Sequence, residues 1–259
     1  MQKIIILAIF INIVGALRLD NQRNDGIHLA VGPQCGRLSG PVADVNAGLL
    51  PLQRYKTIVA FGDSYTDGGT RDGGSRAPAI VIPPNPKAGG RTTNGPVWVE
   101  DIGSDTGALV KDYAVGGAVT DAKLWPSKAN ASDFITQADG IGNLPKAANT
   151  IIEQVTLLTR PPTNARSFLV LDDYGRGTES VAGDAFKQQY YTGLYNLSRT
   201  IPGFKAAFVD FKTIWNGVLG PDPGYKAFGY ASDGACTLNS STTIGSCDDP
   251  EHTFYWIPG

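Results

Sequence analysis

Residues 57–69, TIVAFGDSYTDGG, form the most informative segment of the 259-residue chain. The part at 57–61 is short, apolar and rich in β-branched residues, which predicts a buried strand of a parallel sheet. Gly62 then allows a tight turn that a side chain would block. Ser64 therefore stands at the carboxyl end of the predicted strand, where open α/β sheets place their ligand sites. A serine in this place is a candidate nucleophile, because a neighbouring base can activate its hydroxyl.

Further short apolar segments alternate with segments of helical periodicity along the chain. Strands are predicted within 112–119, 167–171 and 205–211, and helices from Pro96 to Ile102, over 147–159 and over 186–197. Strands that alternate with helices indicate βαβ units and a parallel sheet covered on both faces. From Pro221 onward the interspersed Tyr, Phe, Gly and Pro residues predict loops.

The composition bounds the class of protein. Hydrophobic residues make up 42% of the chain and aromatic residues 9%, which suffices for one sizeable core. The formal net charge of -2 provides no basic field for a phosphate backbone, so nucleic acid is not an expected partner. We expect one α/β domain over residues 55–259, preceded by an irregular segment over 17–54.

The N-terminus predicts a secretory signal peptide over residues 1–16. Lys3 precedes an apolar run at 4–14, and small residues follow at 14–16, which is the order that signal peptides show. A buried N-terminal strand is the alternative interpretation. The run is too short for a stable membrane anchor, and no later stretch suits a membrane helix, so a secreted, soluble protein is expected.

Sequons and cysteines agree with an extracellular location. The three glycosylation sequons begin at Asn130, Asn196 and Asn239. In an oxidising compartment Cys236 and Cys247 can close a short loop as a disulfide, which leaves Cys35 as a free thiol or as the partner of another chain.

Three segments, in order, resemble the sequence blocks of GDSL (SGNH) hydrolases. Residues 58–69 resemble the first block, GRTTNGPVW at 90–98 resembles the segment that follows it in plant and fungal members, and YAVGGA at 113–118 resembles the second block. Together they are similar to fungal carbohydrate esterase family 16, whose members remove acetyl groups from sugars and short oligosaccharides. The resemblance implies a flavodoxin-like three-layer α/β/α fold with a central parallel sheet, and no cofactor.

The same resemblance assigns roles to residues of the first two blocks. Ser64 would be the nucleophile, and the backbone N–H groups of Ser64 and Gly116 would stabilise the oxyanion, each such donor being worth about 3 kcal/mol. A glycine at 116 lets the backbone approach the ligand without a Cβ. In the third block the family has an asparagine as a further donor, and Asp172 occupies its position. An ionised carboxylate is only an acceptor, so it cannot donate to an oxyanion.

The family's catalytic Asp-x-x-His pattern has a formal match near the end of the chain. The match makes His252 the candidate base and Asp249 the residue that orients it. The aromatic pair at 255–256, however, aligns the family's histidine with a position just beyond Gly259, so the last part of the domain is expected to be missing. The remaining histidine, His28, is predicted to be a surface residue.

These features predict a secreted serine esterase that hydrolyses acetyl or other short-chain acyl esters, with an acetylated sugar as its small substrate. A lipase or phospholipase on the same scaffold is one alternative, because acyl specificity lies in loops. A catalytically silent secreted protein or a truncated gene product is another, motivated by Asp172 and by the end of the chain. The two histidines are too few and too far apart for a metal site.

Overall fold

The computed structural model describes residues 3–8, 48–70, 72–75, 95–118, 144–172, 179–238 and 247–255. Its strands are β1 (Lys3–Ala8), β2 (Thr57–Phe61), β3 (Leu109–Asp112), β4 (Ser167–Asp172), β5 (Lys205–Asp210), β6 (Ser232–Ala235) and β7 (Thr253–Tyr255). Its helices are α1 (Trp98–Thr106), α2 (Leu144–Leu158), α3 (Val181–Thr200) and α4 (Phe211–Leu219). Short 3-10 turns lie at Leu52–Arg54, Tyr225–Phe228 and Pro250–His252.

Strands β1 to β5 form one sheet in the order β3-β2-β1-β4-β5, and every neighbouring pair in it is parallel. Strands β6 and β7 form a separate parallel pair. The predicted mixed α/β class with parallel strands is confirmed. Because all five strands run the same way, their carboxyl ends meet at one edge of the sheet, and the candidate nucleophile follows one of these ends.

Alternate residues of the strands pack into two hydrophobic clusters. On β2, Ile58 and Ala60 belong to the cluster that contains residues of α4 and the start of α1, whereas Val59 and Phe61 pack against the cluster that contains α2 and α3. Successive side chains of a strand point to opposite faces of its sheet. The two clusters therefore lie on opposite faces, which explains why these strands read as continuous apolar runs.

Strand β1 lies at the centre of the sheet, between β2 and β4. Lys3 pairs with Thr57 of β2, and Ile4 pairs with Ser167 of β4. Residues 3–8 thus adopt the strand that was the alternative to a signal peptide, and the sheet includes a strand from outside the predicted domain at 55–259. A continuous apolar run suits a central strand of a parallel sheet. Cleavage after residue 16 concerns the processing of the chain and stays a prediction.

Three element predictions differ from the structure. The region from Pro221 onward, predicted as loops, contains the short strands β6 and β7, because their pairing is with each other across an intervening segment and leaves no local pattern. The strand predicted within 112–119 lies earlier, at Leu109–Asp112. The chain after this strand continues alongside β2 through two further hydrogen bonds: Tyr113 N–H donates to Ala60 O at 2.9 Å, and Val115 N–H donates to Gly62 O at 3.0 Å. Helix α4 was not predicted, because the strand before it was extended through the apolar Phe211. In the structure that residue begins the helix and packs into the core.

The described residues cover only some of the predicted disulfide, glycosylation and N-terminal features. Cys236 and Cys247 form a disulfide with Cα atoms 4.4 Å apart, and Asn196 is exposed on α3. Cys35, His28, Asn130 and Asn239 lie outside the described residues, as do positions 9–47 of the predicted signal peptide and irregular segment. No helix within the described ranges has the length and apolar character needed to cross a bilayer.

Candidate active site

Ser64 is exposed in a tight turn directly after β2. The turn is organised by Asp63, whose carboxylate Oδ1 accepts a hydrogen bond from Tyr65 N–H at 3.0 Å. The carbonyl oxygen of Asp63 also accepts from Thr66 N–H at 3.1 Å and from Asp67 N–H at 2.9 Å. The chain therefore reverses sharply at the carboxyl end of the strand and leaves the hydroxyl-bearing residue at the surface.

The carboxyl of Asp63 is partly withdrawn from water. Burial raises its pKa above the ordinary value of 3.8, although the hydrogen bond from the Tyr65 N–H opposes this shift. A raised folded-state pKa means that the ionised form is less favourable in the folded protein than in the unfolded chain. The ionised carboxylate therefore lowers the stability of the fold at neutral pH.

Asp63→Asn is expected to stabilise the protein at neutral pH, because the amide oxygen can still accept from Tyr65 N–H without carrying a charge. The stability difference between variant and wild type should be smallest below pH 3.8, grow as the pH rises through the raised folded-state pKa, and then level off. Urea unfolding of the variant and the wild type at a series of pH values, from below pH 3.8 to neutral pH, measures this difference in the free energy of unfolding. The exposed Asp233→Asn is the matched control; equal pH profiles for the two variants would contradict the expectation.

The structure brings Gly116 directly beside Ser64. A Cβ added at Gly116 would lie 3.8 Å from Ser64 Cβ and 4.0 Å from Ser64 Cα. Gly116 and Gly117 form the tip of a turn that Ala118 N–H closes by donating to Val115 O at 2.9 Å, and the φ of 75° at Gly117 is that of the third residue of a type II turn. The two residues predicted to meet at the site thus do so.

Two fully buried carboxylates hold the loops around Ser64. Asp67 Oδ2 accepts from Gly116 N–H at 2.7 Å, and its Oδ1 accepts from Gly69 N–H at 2.8 Å. Asp112, at the end of β3, accepts from Gly68 N–H at 3.0 Å through Oδ2 and from Ala114 N–H at 2.9 Å through Oδ1. Buried carboxylates need such donors to offset their lost hydration.

The Gly116 N–H, which was predicted to be an oxyanion donor, thus donates to the Asp67 carboxylate in this structure. From Ser64 to Gly69, only the N–H of Ser64 lacks a hydrogen-bond acceptor within the described residues. From Tyr113 to Ala118, within the same limits, only the N–H of Gly117 lacks one. Each of the two loops thus presents one backbone donor without an acceptor.

Helix α1 is anchored to the turn that carries Ser64. Trp98 Nε1–H donates to Thr66 Oγ1 at 3.2 Å, and Glu100 Oε2 accepts from Val97 N–H at 2.8 Å at the start of the helix. Trp98 is the last residue of the segment 90–98 that resembled the hydrolase family. Its indole ties α1 to the turn that carries Ser64.

Asp172 lies in a buried charge cluster. Its Oδ2 is 3.8 Å from Lys187 Nζ, and the same ammonium group donates to Asp210 Oδ1 at 2.8 Å. The sheet order separates the ends of β2 and β4 by two strand spacings, about 10 Å. An ionised carboxylate only accepts hydrogen bonds. The place predicted for Asp172 among the oxyanion donors is therefore not supported by its surroundings.

Asp249 and His252 form the predicted pair. His252 Nδ1 lies 2.8 Å from Asp249 Oδ1 and 2.9 Å from Oδ2, and both side chains are more than half exposed. Such a contact keeps the proton on Nδ1 and leaves Nε2 as the basic nitrogen. Within the described residues, no hydrogen bond joins this pair to Ser64. The structure thus brings Ser64 beside Gly116, and His252 beside Asp249, as two separate pairs.

Sequence reasoning missed the structural roles of Asp67, Asp112 and Lys187. All three are nearly or fully buried. One signal was available: Asp67 directly precedes the glycines at 68–69, and short carboxylates in such turns often bind backbone N–H groups. The burial of Lys187 depends on the register between α3 and β5, which no local pattern encodes. No group of three or more possible metal-binding side chains is found in the part of the chain that the structure describes.

Comparison with known proteins gives one informative similarity. No family model matches the chain. An acetylesterase from Hypocrea jecorina is 35% identical over 102 residues, a segment that covers 35% of this chain and 29% of the acetylesterase. The chain thus matches less than a third of the length of that relative. The similarity supports a relationship to an ester hydrolase.

Proposed function

We propose that this chain is a secreted serine ester hydrolase of the GDSL type that removes acetyl and other short acyl groups from carbohydrates. The observation that carries the proposal is the placement of Ser64. It is exposed at the carboxyl end of β2, beside the glycine turn at 116–117, and its own N–H has no acceptor within the described residues. This arrangement provides a hydroxyl for attack and a backbone donor for the charge that the attack creates.

In the proposed reaction Ser64 Oγ attacks the ester carbonyl carbon while a base removes its proton. The carbonyl π electrons move to oxygen, and the resulting oxyanion accepts a hydrogen bond from the Ser64 N–H. Collapse of this intermediate breaks the bond to the alcohol, which leaves with the proton from the base. A water molecule then repeats the sequence on the acyl-enzyme and releases the acid, which restores Ser64.

The proposed base is His252, oriented by Asp249. It is the only histidine within the described residues, and its contact with the Asp249 carboxylate leaves Nε2 available to take a proton. The Asp-x-x-His spacing of the two residues is that of the family it resembles. In this proposal His252 reaches Ser64 when substrate is bound, since catalytic hydrogen bonds often tighten only in the substrate complex.

Further observations support the finer parts of the proposal. The similarity to an acetylesterase supports an acetyl substrate, and the disulfide Cys236–Cys247 and the exposed sequon at Asn196 agree with secretion. Helical packing against opposite faces of the parallel sheet supports a flavodoxin-like three-layer arrangement.

The proposal is tested by comparing 4-nitrophenyl acetate with 4-nitrophenyl palmitate, and then with an acetylated xylo-oligosaccharide. We expect the purified chain to hydrolyse the acetyl ester with the higher kcat/KM and to release acetate from the oligosaccharide. Preference for the palmitoyl ester would favour the lipase alternative. The absence of hydrolysis of every ester would favour the catalytically silent one.

His252→Gln is expected to lower kcat for 4-nitrophenyl acetate by about 10²- to 10⁴-fold, the usual contribution of a positioned general base. Circular dichroism should be unchanged, since the side chain is exposed. The matched control is His28→Gln, which changes the only other histidine of the chain and should leave kcat as it is. Equal rates for the wild type and His252→Gln would assign the base to another residue.

A further inference from the structure

An exposed apolar strip leads along the edge strand β3 toward Ser64. Leu109, Tyr113 and Val115 are 60%, 38% and 39% exposed, and their odd-numbered positions place the three side chains on one face of the sheet. Within the described residues seven large apolar side chains are exposed, so three of them in one short segment form a concentrated patch, which is typical of a binding surface. The strip ends one residue before Gly116, which lies beside Ser64.

The ring of Tyr113 is held in a fixed orientation. It stacks on the ring of Phe61, with centroids 5.5 Å apart and an interplanar angle of 19°. Gly73 borders its hydroxyl end so closely that an added Cβ would lie 2.5 Å from Cζ and 2.6 Å from Oη of Tyr113. Gly73 itself is tied to the end of β3, because its N–H donates to Asp112 O at 2.9 Å. The fold thus fixes a flat aromatic surface and leaves part of it exposed, which lowers the entropic cost of binding a ligand there.

We propose that Tyr113 is a substrate-binding residue that stacks against the sugar ring of an acetylated saccharide, with Val115 extending the apolar surface toward Ser64. The inference rests on the proposed function and deepens it. Ligand sites combine apolar and aromatic side chains with a few polar groups that fix orientation. A pyranose ring presents C–H groups on its face and hydroxyl groups at its rim, so it fits an aromatic surface that has polar neighbours.

The distance from Ser64 suits the alcohol part of an ester better than an acetyl group. The N–H groups of Tyr113 and Val115 donate to successive carbonyls of the β2 segment, so the chain between them is extended. Three residues of extended chain place Tyr113 about 10 Å from Gly116. The ester carbonyl must lie within about 3.5 Å of Ser64 Oγ for attack. One methyl group beyond that carbonyl does not reach Tyr113, whereas a sugar on the other side of the ester does.

A polar group adjoins the aromatic surface. Asp72 precedes Gly73, the residue against the Tyr113 ring, and is exposed, and its Oδ1 accepts from Gly74 N–H at 2.8 Å. A carboxylate has further acceptor capacity, which the hydroxyl groups at the rim of a sugar can use. A charged group in this place disfavours a long acyl chain, because the chain would remove water from the carboxylate without offering it a donor. The surface therefore favours a saccharide as its occupant.

The test compares an acetylated xylo-oligosaccharide with ethyl acetate, whose alcohol part is too small to reach Tyr113. We expect Tyr113→Ala to raise KM for the oligosaccharide by about three- to tenfold, the fold-change of one aromatic stacking contact, with kcat within about twofold. For ethyl acetate kcat/KM should stay within about twofold. Leu109→Ala is the matched control, because Leu109 is exposed on the same face but lies further from Ser64. It should change neither substrate's kinetics.

Two further variants keep the test decisive if Tyr113→Ala unfolds. Tyr113→Phe retains the ring and should keep KM for the oligosaccharide within about twofold of the wild type. Tyr113→Leu still covers Phe61 with a side chain of similar apolar character but is not flat, so it should raise this KM about as much as alanine. An unchanged KM for the oligosaccharide in the folded leucine variant would overturn the proposal, as would equal losses on both substrates. A loss confined to 4-nitrophenyl palmitate would also overturn it, since the strip would then bind an acyl chain.

The outcomes separate this inference from the proposed function. If Ser64→Ala is inactive on both substrates while the Tyr113 variants match the wild type, the serine mechanism stands and the assignment of Tyr113 fails. If Ser64→Ala is as active as the wild type, the serine mechanism itself fails.

Discussion

Ser64→Ala is expected to lower kcat/KM for 4-nitrophenyl acetate by about 10⁴-fold or more, because the loss of a nucleophile removes the covalent route altogether. KM should change little, since the hydroxyl contributes little to substrate binding before attack. The fold should be unaffected, because Ser64 is exposed and its side chain forms no hydrogen bond within the described residues. Steady-state kinetics and a thermal unfolding curve for both proteins provide the measurement.

Ser104→Ala is the matched control for this substitution. Ser104 is also exposed, lies on α1, and should tolerate alanine with unchanged kcat/KM. If Ser64→Ala retained more than a tenth of the wild-type rate, Ser64 would not be the nucleophile. If both variants lost activity equally, the loss would reflect the fold and not the chemistry of the hydroxyl.

Lys187→Met is expected to destabilise the protein by about 3–5 kcal/mol, the usual effect of removing one partner from a buried charge cluster. Lys187 lies on α3 with a side chain that is 5% exposed, between Asp172 on β4 and Asp210 on β5. Methionine fills a similar volume but offers no charge, so two carboxylates would remain at the ends of adjacent strands without the ammonium group that offsets them. Urea unfolding at neutral pH gives the change in free energy of unfolding.

Lys212→Met is the matched control, because Lys212 forms ion pairs at the surface. Its Nζ lies 2.9 Å from Glu179 Oε2 and 3.0 Å from Asp184 Oδ1, but the three side chains are 24%, 43% and 50% exposed. The hydrogen bond with Glu179 raises the pKa of Lys212 above its ordinary value, yet exposed pairs contribute only about 0–1 kcal/mol to stability. A cost for Lys187→Met no larger than that for Lys212→Met would show that the buried cluster does not stabilise the fold.

Local sequence patterns predicted the strands and helices with strong periodicity. The strand at Thr57–Phe61 has the predicted boundaries. The strand predicted over 167–171 extends one residue further, to Asp172. These segments are apolar on both faces and end at turn residues, so the information lies within a few adjacent positions. Helix α4 and strand β1 were harder, because the first follows a strand without a break and the second has the composition of a signal peptide as well.

The candidate site was predictable only in part. The motif located Ser64 and the glycine turn, since both follow strands whose ends meet at one edge of the sheet. The engagement of Gly116 by Asp67 depends on how two loops lie against each other, 49 positions apart in sequence. The ion pair of Asp172 similarly depends on Lys187, which lies on the following helix α3 and reaches Asp172 only when that helix packs against the sheet. Such long-range contacts leave no periodic signal in either partner.

Covalent trapping of Ser64 tests the central claim most directly. A fluorophosphonate reacts with an activated serine by forming an Oγ–P bond and releasing fluoride, so the intact mass and the modified peptide identify the nucleophile. We expect one adduct per chain, located on Ser64, with loss of esterase activity in proportion to labelling and no adduct on Ser64→Ala. An adduct on another residue, or full esterase activity in a chain that the reagent leaves unmodified, would contradict the proposed mechanism.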